Sequence, residues 1–281
     1  MELIMRTILP IADIAQLKPY IGEELFNRLR SSRHICSAPD KFSYFIMFRY
    51  TDIRKEQHKD DPVCIYCGQT ELFFVSDNTN CIRLLNSVDA SEDSFTQLLE
   101  FFYLLTADDL DELGRLEDKI TGLEDRLLSE NRPSRKSRGE IITLRRKLLS
   151  MKRYYEQLRV ITGEFSEDIN DVIPRALQKR YISLNRRIKN LLDSVMHLRE
   201  YITQVREAYQ AQIDIEQNQI MKVFTVITAI FLPLSLIVGW YGMNFPMPEF
   251  SWKYGYPFVI VLSVCVAVFC LILFARKKWL K

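Results

Sequence analysis

An α+β domain, a helical hairpin, a long stalk helix and two membrane-spanning helices, in that order, is the fold class this chain predicts. Three observations carry the reading. Short β-rich runs are confined to residues 1–90. Charge is dense through residue 220 and then almost vanishes over residues 221–275. Between those regions no Gly or Pro interrupts the chain from Arg175 to Leu232.

Residues 1–90 predict a small α/β domain. Ile11–Leu29 carries apolar residues at helical spacing, with Pro19 as a break. Phe42–Tyr50 (FSYFIMFRY) reads as a buried strand. Val63–Cys67 and Glu71–Val75 flank Gly68-Gln69-Thr70 and predict a hairpin, and Asn80–Leu85 reads as a further strand. Of six cysteines, Cys64 and Cys67 have the spacing of a zinc or redox half-site, which His34 and Cys36 could complete. No second Cys-x-x-Cys exists and the pair lies in a strand-like run, so buried thiols are the expectation. Cys265 and Cys270 are read as small hydrophobes in an apolar helix.

Residues 91–173 predict the hairpin. Ser91–Asn131 reads as one helix, capped by Ser91 or Asp93 and acidic from Asp108 onward. The turn falls at Asn131–Ser134. The next helix, about Lys136–Thr162, is basic, with Arg138, Arg145, Arg146, Lys147, Lys152, Arg153 and Arg159. Acidic and basic helices joined by a short loop fold back on each other, their ion pairs choosing register more than adding stability.

Residues 174–220 form the stalk, which continues unbroken into a first span at residues 221–244. About 70 helical residues extend on the order of 100 Å. Steps of seven from Asp193 reach Glu200, Glu207, Asp214, Met221, Thr228, Ser235 and Gly242, with Asn218, Thr225, Leu232 and Gly239 on the companion position. A seven-residue repeat keeps one stripe on the axis of a helix assembly. That stripe is acidic in the stalk and polar or small in the span, which implies a cation-conducting axis. Met221–Tyr241 holds one charge, Lys222, and can cross the ~30 Å hydrocarbon core. Pro233 leaves the Ala229 carbonyl without its helical donor, so a neighbouring helix or a pore must supply one.

A connecting loop, residues 245–256, leads to a second span at 257–275 and a basic tail at 276–281. Lys222 and the tail share one side, placing both termini in the cytoplasm by the positive-inside rule. Trp240, Tyr241, Trp252, Tyr254 and Tyr256 form the opposite aromatic belt. Two spans are too few to enclose a path, so the chain must self-assemble.

Gln217-Asn218, Met221-Lys222, Phe231-Leu232-Pro233-Leu234, Tyr241-Gly242-Met243-Asn244-Phe245, Met247-Pro248-Glu249 and Lys277-Lys278-Trp279-Leu280 together resemble the C-terminal signature of the CorA family of magnesium transporters. The resemblance implies a funnel-shaped homopentamer in the cytoplasmic (inner) membrane, its first span lining the pore and its second facing lipid. It implies that Gly242, Met243 and Asn244 form the external mouth, where Asn244 amides meet the ion through its hydration shell. It places Asn218, Met221, Thr225, Thr228, Leu232, Ser235 and Gly239 along the path. Mg²⁺ is then both the transported ion, alongside Co²⁺ and Ni²⁺, and a regulatory ligand that holds the channel closed from the cytoplasm, with influx driven by the membrane potential. Glu207, Asp214 and Asp89 are candidate acids for that regulation.

The competing readings are a zinc transporter of the same superfamily and a membrane-anchored helical scaffold that transports nothing. The intact Gly-Met-Asn favours magnesium, and the acidic stripe in register with a polar membrane stripe disfavours a scaffold. A formal net charge of +2 offers no case for nucleic acid. No nucleophile–base set, nucleotide loop or cofactor motif points to an enzyme.

Overall fold

The computed structural model describes residues 5–29, 32, 34–55, 60–90, 92–129, 135–243 and 252–276. Five strands form one sheet in the order β1-β5-β4-β3-β2: Met5–Leu9 (β1), Ile35–Asp40 (β2), Ser43–Tyr50 (β3), Asp61–Cys67 (β4) and Glu71–Val75 (β5). β1 runs parallel to β5, and every other neighbour is antiparallel. The helices are Lys18–Arg28 (α1), Thr79–Asn86 (α2), Ser94–Leu105 (α3), Asp109–Ser129 (α4), Arg135–Glu167 (α5), Arg175–Tyr241 (α6) and Gly255–Arg276 (α7), with a 3₁₀ turn at Ile11–Leu17.

β3 is apolar without alternation because the sheet is covered on both faces. Phe45 and Met47 pack with Leu17, Ile21, Ile35, Cys64, Tyr66, Phe73 and Val75 under the 3₁₀ turn and α1. Facing the other way, Phe48 meets Phe102 of α3 and Tyr44 meets Phe165 of α5, at ring-centroid distances of 5.9 and 5.2 Å. Phe165 in turn meets Tyr181 of α6 at 5.2 Å. Such pairs contribute about 0.5–1.5 kcal/mol each beyond their area, and this chain of rings ties the sheet to three helices. Cys64 and Cys67 fall on opposite faces of β4, three residues apart in a period-two element, so they cannot share an ion. Burial pushes the Cys64 thiol up to about 12, the reactivity of a structural cysteine.

Two expectations from the sequence are corrected. Asn80–Leu85 is helical, not a strand: the Asn78 side chain accepts from the Asn80 and Cys81 amides at 3.0 and 3.1 Å and starts α2. The helix expected over Ser91–Asn131 is two helices, α3 and α4. Between them, Arg187 of α6 donates to the Thr106 and Ala107 carbonyls of the connecting turn at 2.8 and 3.1 Å, a tertiary contact no local pattern announces. Asp93 is the cap of α3, accepting from the Thr96 amide at 2.9 Å; Ser91 lies outside the described residues.

α4 and α5 run antiparallel, linked by the buried Lys147–Glu112 pair at 2.6 Å and by Arg126–Glu140. Asp168 closes the turn from α5 into α6. Buried and at a φ of 37°, it accepts from the Val172 and Ile173 amides at 3.0 and 2.9 Å and from the Tyr44 hydroxyl at 3.0 Å.

The chain divides into two compact units. One comprises residues 1–130 and 134–206; the other comprises residues 131–133 and 207–281. The α/β part and the helices up to Arg206 therefore share one packed body.

Candidate ion path and mouth

α6 and α7 are both long and apolar enough to cross a membrane. A soluble core helix of that composition would be buried, but only 6% and 0% of their most apolar windows are. Inside the second unit, α6 has two unlike faces. Val226, Ala229, Ile230, Pro233, Leu234, Ile237 and Tyr241 recur at three- and four-residue steps and are buried or half-buried. On this side the Cys270 thiol of α7 donates to the Ala229 carbonyl at 3.7 Å, the oxygen that Pro233 deprives of its helical partner. Cys270 is thus more than the small hydrophobe expected: it satisfies the backbone at the proline.

The seven residues predicted to line a path occupy the other face. Asn218, Met221, Thr225, Thr228, Leu232, Ser235 and Gly239 are all exposed, Met221 at 62% and Leu232 at 70%. The Thr225 hydroxyl donates to the Met221 carbonyl at 2.8 Å, leaving its lone pairs outward. A face offering hydroxyl acceptors between two bulky apolar side chains can hydrogen-bond the waters of a cation and narrow around it.

α6 ends at Tyr241. The Gly242 amide donates to the Val238 carbonyl at 2.9 Å, and the Met243 amide to the Trp240 carbonyl at 3.3 Å. A Cβ at position 242 would lie 2.9 Å from that same Val238 oxygen, so the tight exit requires glycine. The C-terminal end of a helix carries partial negative charge, which favours a cation. Asn244, with residues 245–251, lies outside the described residues, as do the basic residues 277–281. Trp240, Trp252, Tyr254 and Tyr256 are exposed, and Trp252 meets Tyr254 edge-on and Phe258 at a tilt, with centroids 6.2 and 6.0 Å apart.

The predicted stalk acids are exposed. Asp193 and Glu200 belong to the first unit; Glu207 and Asp214 belong to the second, where Gln210 donates to Asp214 at 3.0 Å. Asp89 is an exposed residue beyond α2. Among the described residues no three His, Cys, Asp or Glu side chains converge on a metal position.

Sequence reasoning missed a buried polar cluster in the first unit. Tyr155 donates to Asp109 at 2.8 Å, beside the Lys147–Glu112 pair. Burial pushes the Asp109 carboxyl up to about 6; the Tyr155 hydrogen bond and Arg54 and Arg187 oppose the rise, and Asp108 adds to it. The signal was present, since Asp109 and Glu112 sit at helical steps from Leu116, Ile120, Leu123 and Leu127.

A sequence model of CorA-like Mg²⁺ transporter proteins matches residues 15–277. The chain is 29% identical over 198 residues to a cobalt/magnesium transport protein CorA from Thermotoga maritima, covering 70% of this chain and 52% of the relative. It is 49% identical over 75 residues to a magnesium transport protein CorA from Haemophilus influenzae, covering 26% of this chain and 24% of the relative. The aligned part thus spans about half the length of the first relative and about a quarter of the second. The complete structure of the CorA magnesium transporter from Methanocaldococcus jannaschii superposes with a TM-score of 0.76 at 22% identity, covering 98% of this chain and 90% of that one.

Proposed function

The chain belongs to the CorA-like Mg²⁺ transporter family, and from that premise we propose that it is a channel-like transporter that admits hydrated Mg²⁺, with Co²⁺ and Ni²⁺ as further substrates, through a homopentamer in the cytoplasmic membrane. The observation that carries the reading is the two-faced α6: one face takes the backbone-satisfying contact from α7, and the other presents hydroxyls, an amide and two apolar side chains up to Gly242 and Met243.

Mg²⁺ dehydrates reluctantly, so a mouth that hydrogen-bonds its first-shell waters avoids stripping them. A ring of Asn244 carbonyls accepts from those polarised waters without holding the ion too tightly to leave. Met221 and Leu232 rings form hydrophobic constrictions that close by dewetting. With both termini in the cytoplasm, each doubly charged ion entering gains about 4.6 kcal/mol per 100 mV of inside-negative potential. Cytoplasmic Mg²⁺ shared between copies at Glu207, Asp214 or Asp89 holds the assembly closed, and its loss frees the subunits to open.

Flux into proteoliposomes with Mg²⁺, Co²⁺ and Zn²⁺, for wild type and Asn244→Ala, tests the proposal. Mg²⁺ uptake that collapses in the variant supports it. Unchanged uptake refutes the mouth assignment, and uptake of Zn²⁺ alone moves the chain to the zinc branch.

A further inference from the structure

Acidic α4 and basic α5 neutralise each other less than their sequences suggest. The ion pairs Lys147–Glu112 and Arg126–Glu140 cross between them, and both draw on few of the acids of α4. On α4, Asp111, Asp118 and Asp125 follow one another at steps of seven, all exposed and opposite the buried Leu113, Leu116, Ile120, Leu123 and Leu127. None of the three has an ion-pair partner among the described residues. Between them lie Gly114, Thr121 and Gly122, and a Cβ at either glycine would meet nothing within 4 Å.

The complementary surface lies on the other flank of α5. Arg145, Arg146, Ile142 and Leu149 of α5, with Arg199 and Ile202 of α6, line a groove of about 280 Å³. Ile142 and Leu149 are 42% and 37% exposed, high for aliphatic side chains on a groove wall. No carboxylate among the described residues contacts these three guanidinium groups; that of Arg199 touches only the Met196 sulfur, at 3.5 Å. The groove lies between α5 and α6, whereas Asp111, Asp118 and Asp125 are exposed on α4, where Asp118 borders a separate groove beside Gly139 and Thr143 of α5 and the neighbouring Thr121 meets the Tyr201 hydroxyl of α6 at 3.3 Å. The two sets cannot meet within one chain.

We propose that the arginine groove between α5 and α6 receives the acidic outer face of α4 from a second copy of this chain. The proposal rests on the self-assembly put forward above. Spacing supports it: Asp111 to Asp118 and Ile142 to Leu149 are both seven residues, about 10.5 Å of helix. The glycine-bearing face lets Ile142 and Leu149 seat close to the α4 backbone, excluding water from the apolar seam. The flanking charges select partner and register more than they add affinity. Because donor and acceptor surfaces differ, the contact is head-to-tail, and copies joined that way generate a ring when the rotation closes.

The full-length chain in detergent carries the test. Asp118→Cys and Arg146→Cys chains are co-reconstituted, oxidised and digested, while native mass spectrometry reads the copy number separately. A disulfide-linked peptide joining positions 118 and 146 is necessarily between copies and is expected. Asp111→Lys/Asp118→Lys and Arg145→Glu/Arg146→Glu should each lower the oligomer's thermal midpoint by about 2–4 °C, and combining them should restore it. An intact oligomer with no such peptide and no charge-swap rescue overturns the interface but leaves self-assembly standing. A response to the arginine reversals alone means another anion fills the groove and also overturns it. A monomeric chain overturns both.

Discussion

Gly242→Ala tests how much the exit of the path depends on backbone geometry. A methyl at this position arrives 2.9 Å from the Val238 carbonyl oxygen, several tenths of an ångström inside ordinary contact. The obstacle is main chain in the last turn of α6, which also accepts the Gly242 amide at 2.9 Å. It cannot swing aside as a side chain would, so the turn itself must shift. Overpacking of this kind costs about 1–3 kcal/mol. Because the displaced turn carries Met243 and is followed in sequence by Asn244, the cost falls on the proposed mouth. Expressed as a barrier it slows entry by about one to two orders of magnitude. Mg²⁺ flux into proteoliposomes reads the rate, and the thermal midpoint in detergent reads global stability. Gly163→Ala is the control: it is a helix-interior glycine with nothing within 4 Å of the added methyl, so better helix propensity should stabilise it by about 0.5–1 kcal/mol with flux unchanged. A Gly242→Ala protein with wild-type flux would refute the geometric argument.

Three further outcomes are expected. Asp109 has a carboxyl raised from 3.8 to about 6 in the folded chain, so the fold gains stability as pH falls from about 6 to 4, and keeping the buried charge costs about 3 kcal/mol above pH 6. Asp109→Asn should therefore raise the thermal midpoint at pH 7 and give no gain at pH 4; a midpoint unchanged across that range contradicts the burial account. Asp168→Ala removes the acceptor for two buried amides and the Tyr44 hydroxyl and should destabilise by about 3–5 kcal/mol, with Asp168→Asn recovering part of the loss in thermal denaturation. Cys270→Ala leaves the Ala229 carbonyl without its donor and should cost about 0.5–1 kcal/mol in detergent unfolding; Cys270→Ser should restore it, and equal stability of all three proteins would remove the role assigned to the thiol.

The parts of this chain legible in its sequence are those where one residue pattern admits one physical solution. FSYFIMFRY can only be a strand covered on both faces. An uninterrupted helical run ending in charge-free residues is one helix, and the structure has it as Arg175–Tyr241. What escaped is decided by contacts distant in sequence. α3 ends at Leu105, and the turn that follows it has its Thr106 and Ala107 carbonyls bound by Arg187, some eighty residues later. Asn80–Leu85 is short enough to read as a strand, but the four-residue spacing of Cys81 and Leu85 and the Asn78 cap mark a helix. Asp109 and Glu112 were read with the surface acids around them because composition hides position.

The path shows the same division more sharply. Pro233 announced that the Ala229 oxygen needed a donor, but only the structure named Cys270. That assignment bears on how the span works. With the thiol of α7 satisfying the proline on one face, α6 needs no water or ion on that side, and its exposed hydroxyls, with Met221 and Leu232, are left on the other. A helix whose backbone debt is settled by its own chain is free to turn its polar face toward copies of itself. A single α6 carries one hydroxyl or amide at each level, too few to surround a hydrated cation. In the proposed assembly the same residue repeated around an axis supplies the ring, so the chemistry of the face and the proposed self-assembly are one requirement.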